Sequence, residues 1–183
     1  MTTEFDLLKV VTSRLDEAGI DYMLTGSIAM SLYSAPRMTR DIDMVLHISS
    51  ELVDKLVRIF KEDFYIDEHA VREAIARHDM FNIIHTESAV KFDFIVRKDE
   101  DYRLREFSRR QRIEMGDVPV TVVAAEDLIL SKLVWAKDSE PEFQMRYVEQ
   151  ILKAHEKLDY DYLHEWAKRL EVDGLLRKAQ QNA

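Results

Sequence analysis

The sequence predicts an α+β protein, in which a mixed β-sheet with flanking helices is followed by a helical C-terminal region. Three observations predict it. Through the first two thirds of the chain, short apolar runs that alternate or stop at a glycine are interleaved with helix-spaced segments. From Ala125 onward every periodic stretch is helical. At 183 residues the chain is long enough for one substantial core carrying a helical appendage. The expected division is an α/β core over residues 1–123 and a helical region packed on it over residues 124–183.

The elements follow in chain order. Glu4 to Ala18 sets Phe5, Leu7, Leu8, Val10, Val11 and Leu15 at helical spacing and stops at Gly19. The run YMLTG is short, apolar and ended by glycine, as a strand would be. SIAMSLYS reads as a helix with Ser27 as N-cap, ending before Pro36 because a residue ahead of proline disfavours helical geometry. DIDMVLHI alternates as a strand. SSELVDKLVRIFKED has a serine start signal and an apolar stripe of Leu52, Leu56, Val57, Ile59 and Phe60, and AVREAIARHD is a further short helix. MFNIIHT and VKFDFIV flank the connector ESA, which predicts an antiparallel hairpin. RRQRIEM and VPVTVV make a second strand pair. EDLILSKLVWAK, PEFQMRYVEQILKAHEK, YDYLHEWAKRL and VDGLLRKAQ complete the chain as helices.

Composition removes several function classes. Cysteine is absent, so disulfides, thiolate nucleophiles and cysteine-based zinc sites are excluded together. No apolar run approaches the roughly 20 residues that span a bilayer, and the N-terminus lacks the basic-then-apolar order of a signal peptide. No membrane association is expected, and the cytoplasm is the expected location. The net charge of −9 argues against broad, sequence-independent DNA binding, which needs a basic surface. Arg97 to Arg112 is a local exception with seven basic and four acidic residues. It reads first as a solvated helix and strand edge, and second as a rim for an anionic substrate. The six histidines show no ligand-like spacing, and no nucleophile triad is present.

Chemistry concentrates in LTGSIAMSLYSAPRMTRDIDMVL, from Leu24 to Leu46. Alternation along a strand puts Asp41, Asp43 and Val45 on one face and Ile42, Met44 and Leu46 on the other. Two carboxylates at i and i+2 stand roughly 7 Å apart along the backbone, and their ends can converge on one cation. VKFDFIV repeats the pattern, with Phe92, Phe94 and Val96 on an apolar face and Asp93 opposite, between Lys91 and Ile95. If the two strands are neighbours, three carboxylates meet on one face. Oxygen-only ligation favours Mg²⁺ or Mn²⁺ over zinc. Gly26 and Ser27, between a strand and a helix, form a phosphate cradle: no Cβ blocks the backbone, and the helix start presents free N–H groups.

With Thr25-Gly26-Ser27, a helix, Arg37-Met38-Thr39-Arg40-Asp41-Ile42-Asp43 and the later Asp93, the sequence resembles the nucleotidyltransferase superfamily with the DNA-polymerase-beta type of catalytic core. Within it, the chain looks most like the small bacterial and archaeal members, including minimal nucleotidyltransferases and AbiEii-like toxins. The segment AAEDLILSKLVWAKD is similar to the helix of those families whose lysine, here Lys132, faces the nucleotide. The resemblance spans roughly residues 20 to 150. It departs from many relatives after that helix, where an Arg-Asp-x-x-Asp type sequence is replaced by a stretch in which Tyr147 follows Arg146.

The resemblance implies a nucleotidyltransferase-like core that moves a nucleoside monophosphate from an NTP, with ATP the expected donor, onto an acceptor hydroxyl, releasing pyrophosphate. Asp41, Asp43 and Asp93 would be the catalytic, metal-holding residues for Mg²⁺ or Mn²⁺. Gly26, Ser27, Arg37, Arg40 and Lys132 would bind the nucleotide. The acceptor is a small molecule, a protein side chain or a tRNA end.

Each reading has a plainer counterpart. Asp41 and Asp43 could be strand-edge acids paired with Arg37 or Arg40, and Asp93 a solvent-facing residue on a half-exposed hairpin. Thr39 shapes its loop or touches a ligand. Lys132 snorkels to solvent or reaches a triphosphate. Met145, Val148, Ile151 and Leu152 make a helical stripe that serves either the core or a homodimer or partner protein. The rival function is a nucleotide-binding regulatory or toxin–antitoxin partner module without transfer activity.

Overall fold

The computed structural model describes residues 3–34, 41–139, 141–155 and 157–183, with the side chain of Asp138 left aside. Arg37, Thr39 and Arg40 therefore lie outside the described residues. Among the described residues the strands are β1 (Asp21–Leu24), β2 (Asp41–His47), β3 (Phe64–Ile66), β4 (Met80–His85), β5 (Lys91–Val96), β6 (Gln111–Met115) and β7 (Val118–Val122). They form one seven-stranded mixed sheet in the order β3-β4-β5-β2-β1-β7-β6. At its centre β2 and β5 run parallel, with Asp41 opposite Lys91 and Asp43 opposite Asp93. β1 is antiparallel to β2 and parallel to β7. The expected hairpins are present as antiparallel β4–β5 and β6–β7.

The helices are α1 (Glu4–Ala18), α2 (Gly26–Tyr33), α3 (Val53–Phe60), α4 (Glu68–Arg77), α5 (Asp101–Ser108), α6 (Ala125–Asp138), α7 (Pro141–Ala154), α8 (Tyr160–Arg169) and α9 (Asp173–Asn182). α1 begins at a reciprocal cap in which Thr3 and Asp6 each satisfy the other's backbone N–H, and it ends at left-handed Gly19. α1 contacts β1, β7 and α3, while α3 and α4 pack together and reach β3 and β4. α2 sits against β2, α6 and α7, and α6 runs along α7 and touches α8.

Alternation sets the core. Ile42, Met44 and Leu46 are fully buried on β2, beside the buried Phe92, Phe94 and Val96 of β5. Phe60 and Phe92 both set their rings edge-on to Phe64, and Phe81 does the same to Phe94. The stripe of Met145, Val148, Ile151 and Leu152 is buried within this chain, so it is core.

Three sequence expectations are corrected. Thr25, not Ser27, occupies the N-cap position of α2, and no side-chain cap bond is made there. The short strand β3 was not expected, because three residues are too few to show alternation. The stretch from Arg97 to Arg112 is not a fully solvated face: Tyr102, Glu106 and Phe107 of α5 are buried.

Those residues help pin α6 to the sheet domain. Asp127, fully buried, accepts from Arg109 Nε at 2.9 Å and from Tyr162 Oη at 2.6 Å. Its backbone carbonyl accepts from Tyr102 Oη at 3.1 Å. The Arg109 guanidinium also lies 3.8 Å from the Tyr162 ring centre. A buried carboxylate persists only when paired in this way, and three helices converge to pair it. Among the described residues, no helix is long and apolar enough to cross a membrane.

Candidate active site

β1 ends at Leu24 and the chain turns directly into α2 at Gly26, which takes a left-handed φ of 59°. The neighbouring strand β2 delivers Asp43 to the same place. A Cβ built on Gly26 would lie 1.9 Å from Asp43 Oδ2, so the carboxylate fills the space that any other residue would occupy. The Thr25 amide donates to the Asp43 backbone carbonyl at 3.0 Å, which locks the turn to the strand. The sequence assigns glycine here to phosphate access; what the structure shows is close packing of an acid.

Across the parallel pair, Asp93 faces Asp43. Asp93 is only 6 % exposed, which removes the solvent-facing alternative. Burial raises the Asp43 pKa, and the charge of Asp93 raises it further; Lys132 and the Ser27 amide act in the opposite direction. Asp93 Oδ1 is buried and has no hydrogen-bond partner among the described residues. Its other oxygen, Oδ2, takes the Lys91 ammonium at 2.9 Å, and the same ammonium lies 3.6 Å from Asp41 Oδ1. The hydrogen bond to Asp93 pushes the Lys91 pKa up.

These corners make a square on the β2–β5 pair: Asp41 beside Lys91, and Asp43 beside Asp93. Among the described residues no three acids already stand at metal-ligand geometry. The donor set nevertheless suits a hard divalent cation, because it is carboxylate oxygen only. The Oδ1 of Asp93, unpartnered among the described residues, and the cationic Lys91 against Asp41 and Asp93 point the same way: the cluster suits positive charge.

One corner of the square, Asp43, lines a cavity of about 340 Å³. Thr25, Gly26, Ser27 and Asp43 line one end, Val45, Ile95, Leu128 and Trp135 supply apolar walls, and Lys132 reaches in from α6. The Lys132 ammonium is also 5.0 Å from the Tyr147 ring centre on α7. Arg97 and Lys98 belong to the lining too, so part of the basic stretch does border the cavity.

Sequence reasoning missed the remaining polar lining. Arg103 and Glu106 of α5 and Ser131 of α6 form a closed triangle. Arg103 Nη1 donates to Glu106 Oε2 and to Ser131 Oγ, each at 2.8 Å, and Ser131 Oγ donates to Glu106 Oε1 at 2.6 Å. Burial raises the Glu106 pKa against the opposing pull of Arg103 and Ser131. The only signal in the sequence is an acid spaced three residues from an arginine on one helix, a pattern shared with ordinary surface pairs.

Comparison with known proteins agrees with this geometry. A family profile described as nucleotidyl transferase AbiEii toxin, Type IV TA system, matches residues 13–146. Among curated proteins no match is found. An antigenic nucleotidyltransferase-like protein from Paracoccidioides brasiliensis shares the fold at a TM-score of 0.57 and 17 % identity, covering 93 % of this chain and 90 % of that one. The lincosamide antibiotic adenylyltransferase LnuA, bound to lincomycin, aligns at a TM-score of 0.54 and 11 % identity, covering 84 % of this chain and 99 % of its own. ANT(2")-Ia in complex with adenylyl-2"-tobramycin aligns at 0.53 and 14 % identity, covering 96 % and 95 %. At such identities these structures speak for the fold, whereas the family match spans most of the chain, including Gly26, Ser27, Asp41, Asp43, Asp93 and Lys132. The chain belongs to the AbiEii nucleotidyl transferase toxin family, associated with a type IV toxin–antitoxin system, and is by that membership a nucleotidyltransferase.

Proposed function

We propose that this chain transfers a nucleoside monophosphate from an NTP onto an acceptor hydroxyl, with release of pyrophosphate, in a Mg²⁺- or Mn²⁺-dependent reaction in the cytoplasm. ATP is the expected donor, in keeping with the adenylyl group named for two of the fold neighbours. The observation that carries the reading is the facing pair Asp43–Asp93 beside Gly26, with Gly26, Asp43 and Lys132 lining one cavity.

The residues divide the work. Gly26 and Ser27 offer the backbone amides of the α2 N-terminus to the β- and γ-phosphates. Lys132 stands across the cavity to offset their charge, and Arg37 and Arg40 are assigned to the same phosphates by their place in the motif. Asp41, Asp43 and Asp93 would hold the divalent cation, which supplies charge neutralisation at the triphosphate and acceptor oxygens. Asp93 would take the acceptor's proton as the acceptor oxygen bonds to the α-phosphorus and the bond to pyrophosphate breaks; its buried Oδ1, unpartnered among the described residues, supports that reading. The apolar walls suit the nucleoside. Residues 1–123 are read as the catalytic core, and residues 124–183 as the helical region whose first helix closes the cavity.

The acceptor is a small molecule, a protein or a tRNA, and a partner protein fits a toxin family. Labelled NTPs offered singly to the enzyme in a cell lysate test the proposal. Label should enter one acceptor class with pyrophosphate release, and both should vanish in Asp43→Asn and Asp93→Asn. NTP binding without pyrophosphate release from any donor would instead favour a nucleotide-binding module.

A further inference from the structure

The acidic square contains one residue that the proposed chemistry does not use. Lys91 lies across from Asp41 on the parallel pair and two residues before Asp93, so alternation brings all three to one face. Its Nζ is 2.9 Å from Asp93 Oδ2 and 3.6 Å from Asp41 Oδ1. An ammonium at hydrogen-bond distance from a buried carboxylate occupies the position a bound cation would compete for.

We propose that Lys91 is a built-in counter-ion of the acidic cluster, holding Asp41 and Asp93 while no divalent cation is bound and withdrawing when one binds. The inference rests on the reading of Asp41, Asp43 and Asp93 as cation-holding residues. Two arguments support it. First, three carboxylates on adjacent strands repel one another, and one of them, Asp93, is nearly inaccessible to water. A local positive charge is needed to keep the cluster assembled before substrate arrives. Second, Lys91 holds Asp41 Oδ1 and Asp93 Oδ2, so a cation that takes those two oxygens must displace it. With Lys91 in place, no three acids reach ligand geometry among the described residues. Lysine suits the role better than arginine, since its compact ammonium on a flexible stem leaves more easily than a planar, two-pronged group. Lys91 is thus a positioning residue: it touches the acids and is released from them.

Mn²⁺ titration followed by electron paramagnetic resonance, on the whole chain without nucleotide, tests this directly. Lys91→Met should bind Mn²⁺ roughly five- to tenfold more tightly than wild type, and Lys91→Arg should remain within about twofold of wild type or bind more weakly. In chelator, Lys91→Met should melt at lower temperature than wild type, and Mn²⁺ should restore more of its stability. Should Lys91→Met fail to fold, the Lys91 side-chain resonance of the wild-type protein provides the second readout. Mg²⁺ should shift it, and the shift should disappear in Asp93→Asn.

Unchanged or weaker Mn²⁺ affinity in Lys91→Met, with wild-type binding still abolished by Asp93→Asn, overturns the Lys91 role alone. So does a Lys91 resonance that stays still while Mg²⁺ binds. Absence of Mn²⁺ binding in both wild type and Lys91→Met overturns the counter-ion role and the cation-holding reading together.

Discussion

The carboxylate of Asp43 rests on the bare Cα of Gly26, so that a methyl group there would stand 1.9 Å from Oδ2. Gly26 also carries a left-handed φ of 59°, a conformation that costs an L-residue about 1–2 kcal/mol. Gly26→Ala is therefore expected to lower stability by about 2 kcal/mol in urea denaturation and to weaken NTP binding. A variant as stable as wild type with unaltered NTP affinity would show that neither the turn nor the contact matters.

Asp43→Asn separates stability from activity. Burial and the facing Asp93 both penalise the Asp43 charge in the folded protein. Removing that charge should leave the melting temperature in chelator unchanged or higher. Pyrophosphate release should nevertheless fall by ~100-fold or more. A large drop in melting temperature alongside the loss would mean that the residue serves the fold.

At the start of α6, Asp127 is held by Arg109 and Tyr162 out of contact with water. Asp127→Ala leaves the Arg109 charge with Glu126, 3.1 Å away, and the Tyr162 ring, and should cost about 3–5 kcal/mol. Tyr162→Phe removes one hydrogen bond and should cost about 1–2 kcal/mol. Because the two share Asp127, the double variant should cost less than the sum, as a double-mutant cycle by chemical denaturation would show.

Glu106 gives a pH signature. Burial raises its folded pKa above the ordinary value of 4.5, so the folded protein holds this proton more tightly than the unfolded chain. Its contribution to stability therefore declines as pH rises from about 4.5 through the raised pKa. Glu106→Gln cannot titrate. The stability of that variant relative to wild type should grow more favourable as pH rises across this window, in urea denaturation at a series of pH values. A flat or opposite trend would contradict the sign.

Legibility in the sequence followed the range of the forces involved. The β4–β5 hairpin was readable because alternation and a short connector are local, and so was α1 with its glycine stop. Alternation also put Asp41, Asp43 and Asp93 on matching faces, and the parallel register sets Asp43 opposite Asp93. The burial of Asp93 was not readable, since alternation assigns an acid to an outer face without saying how far the fold encloses it. Strand β3 escaped because its three residues span barely one period. The triangle of Arg103, Glu106 and Ser131 joins two helices across 25 to 28 positions, a juxtaposition only the fold creates. Lys91 read as a polar neighbour, and its meaning came from lying across from Asp41.

The central claim is that Asp43 and Asp93 gather a divalent cation beside the Gly26 phosphate cradle. A crystal of the protein grown with Mn²⁺ and a non-hydrolysable ATP analogue, read by anomalous scattering, tests it most directly. The account predicts a manganese peak within about 2–2.5 Å of oxygens from both aspartates, with the triphosphate on the amides of α2. Manganese bound elsewhere, or a triphosphate seated away from Gly26 and Ser27, would contradict it.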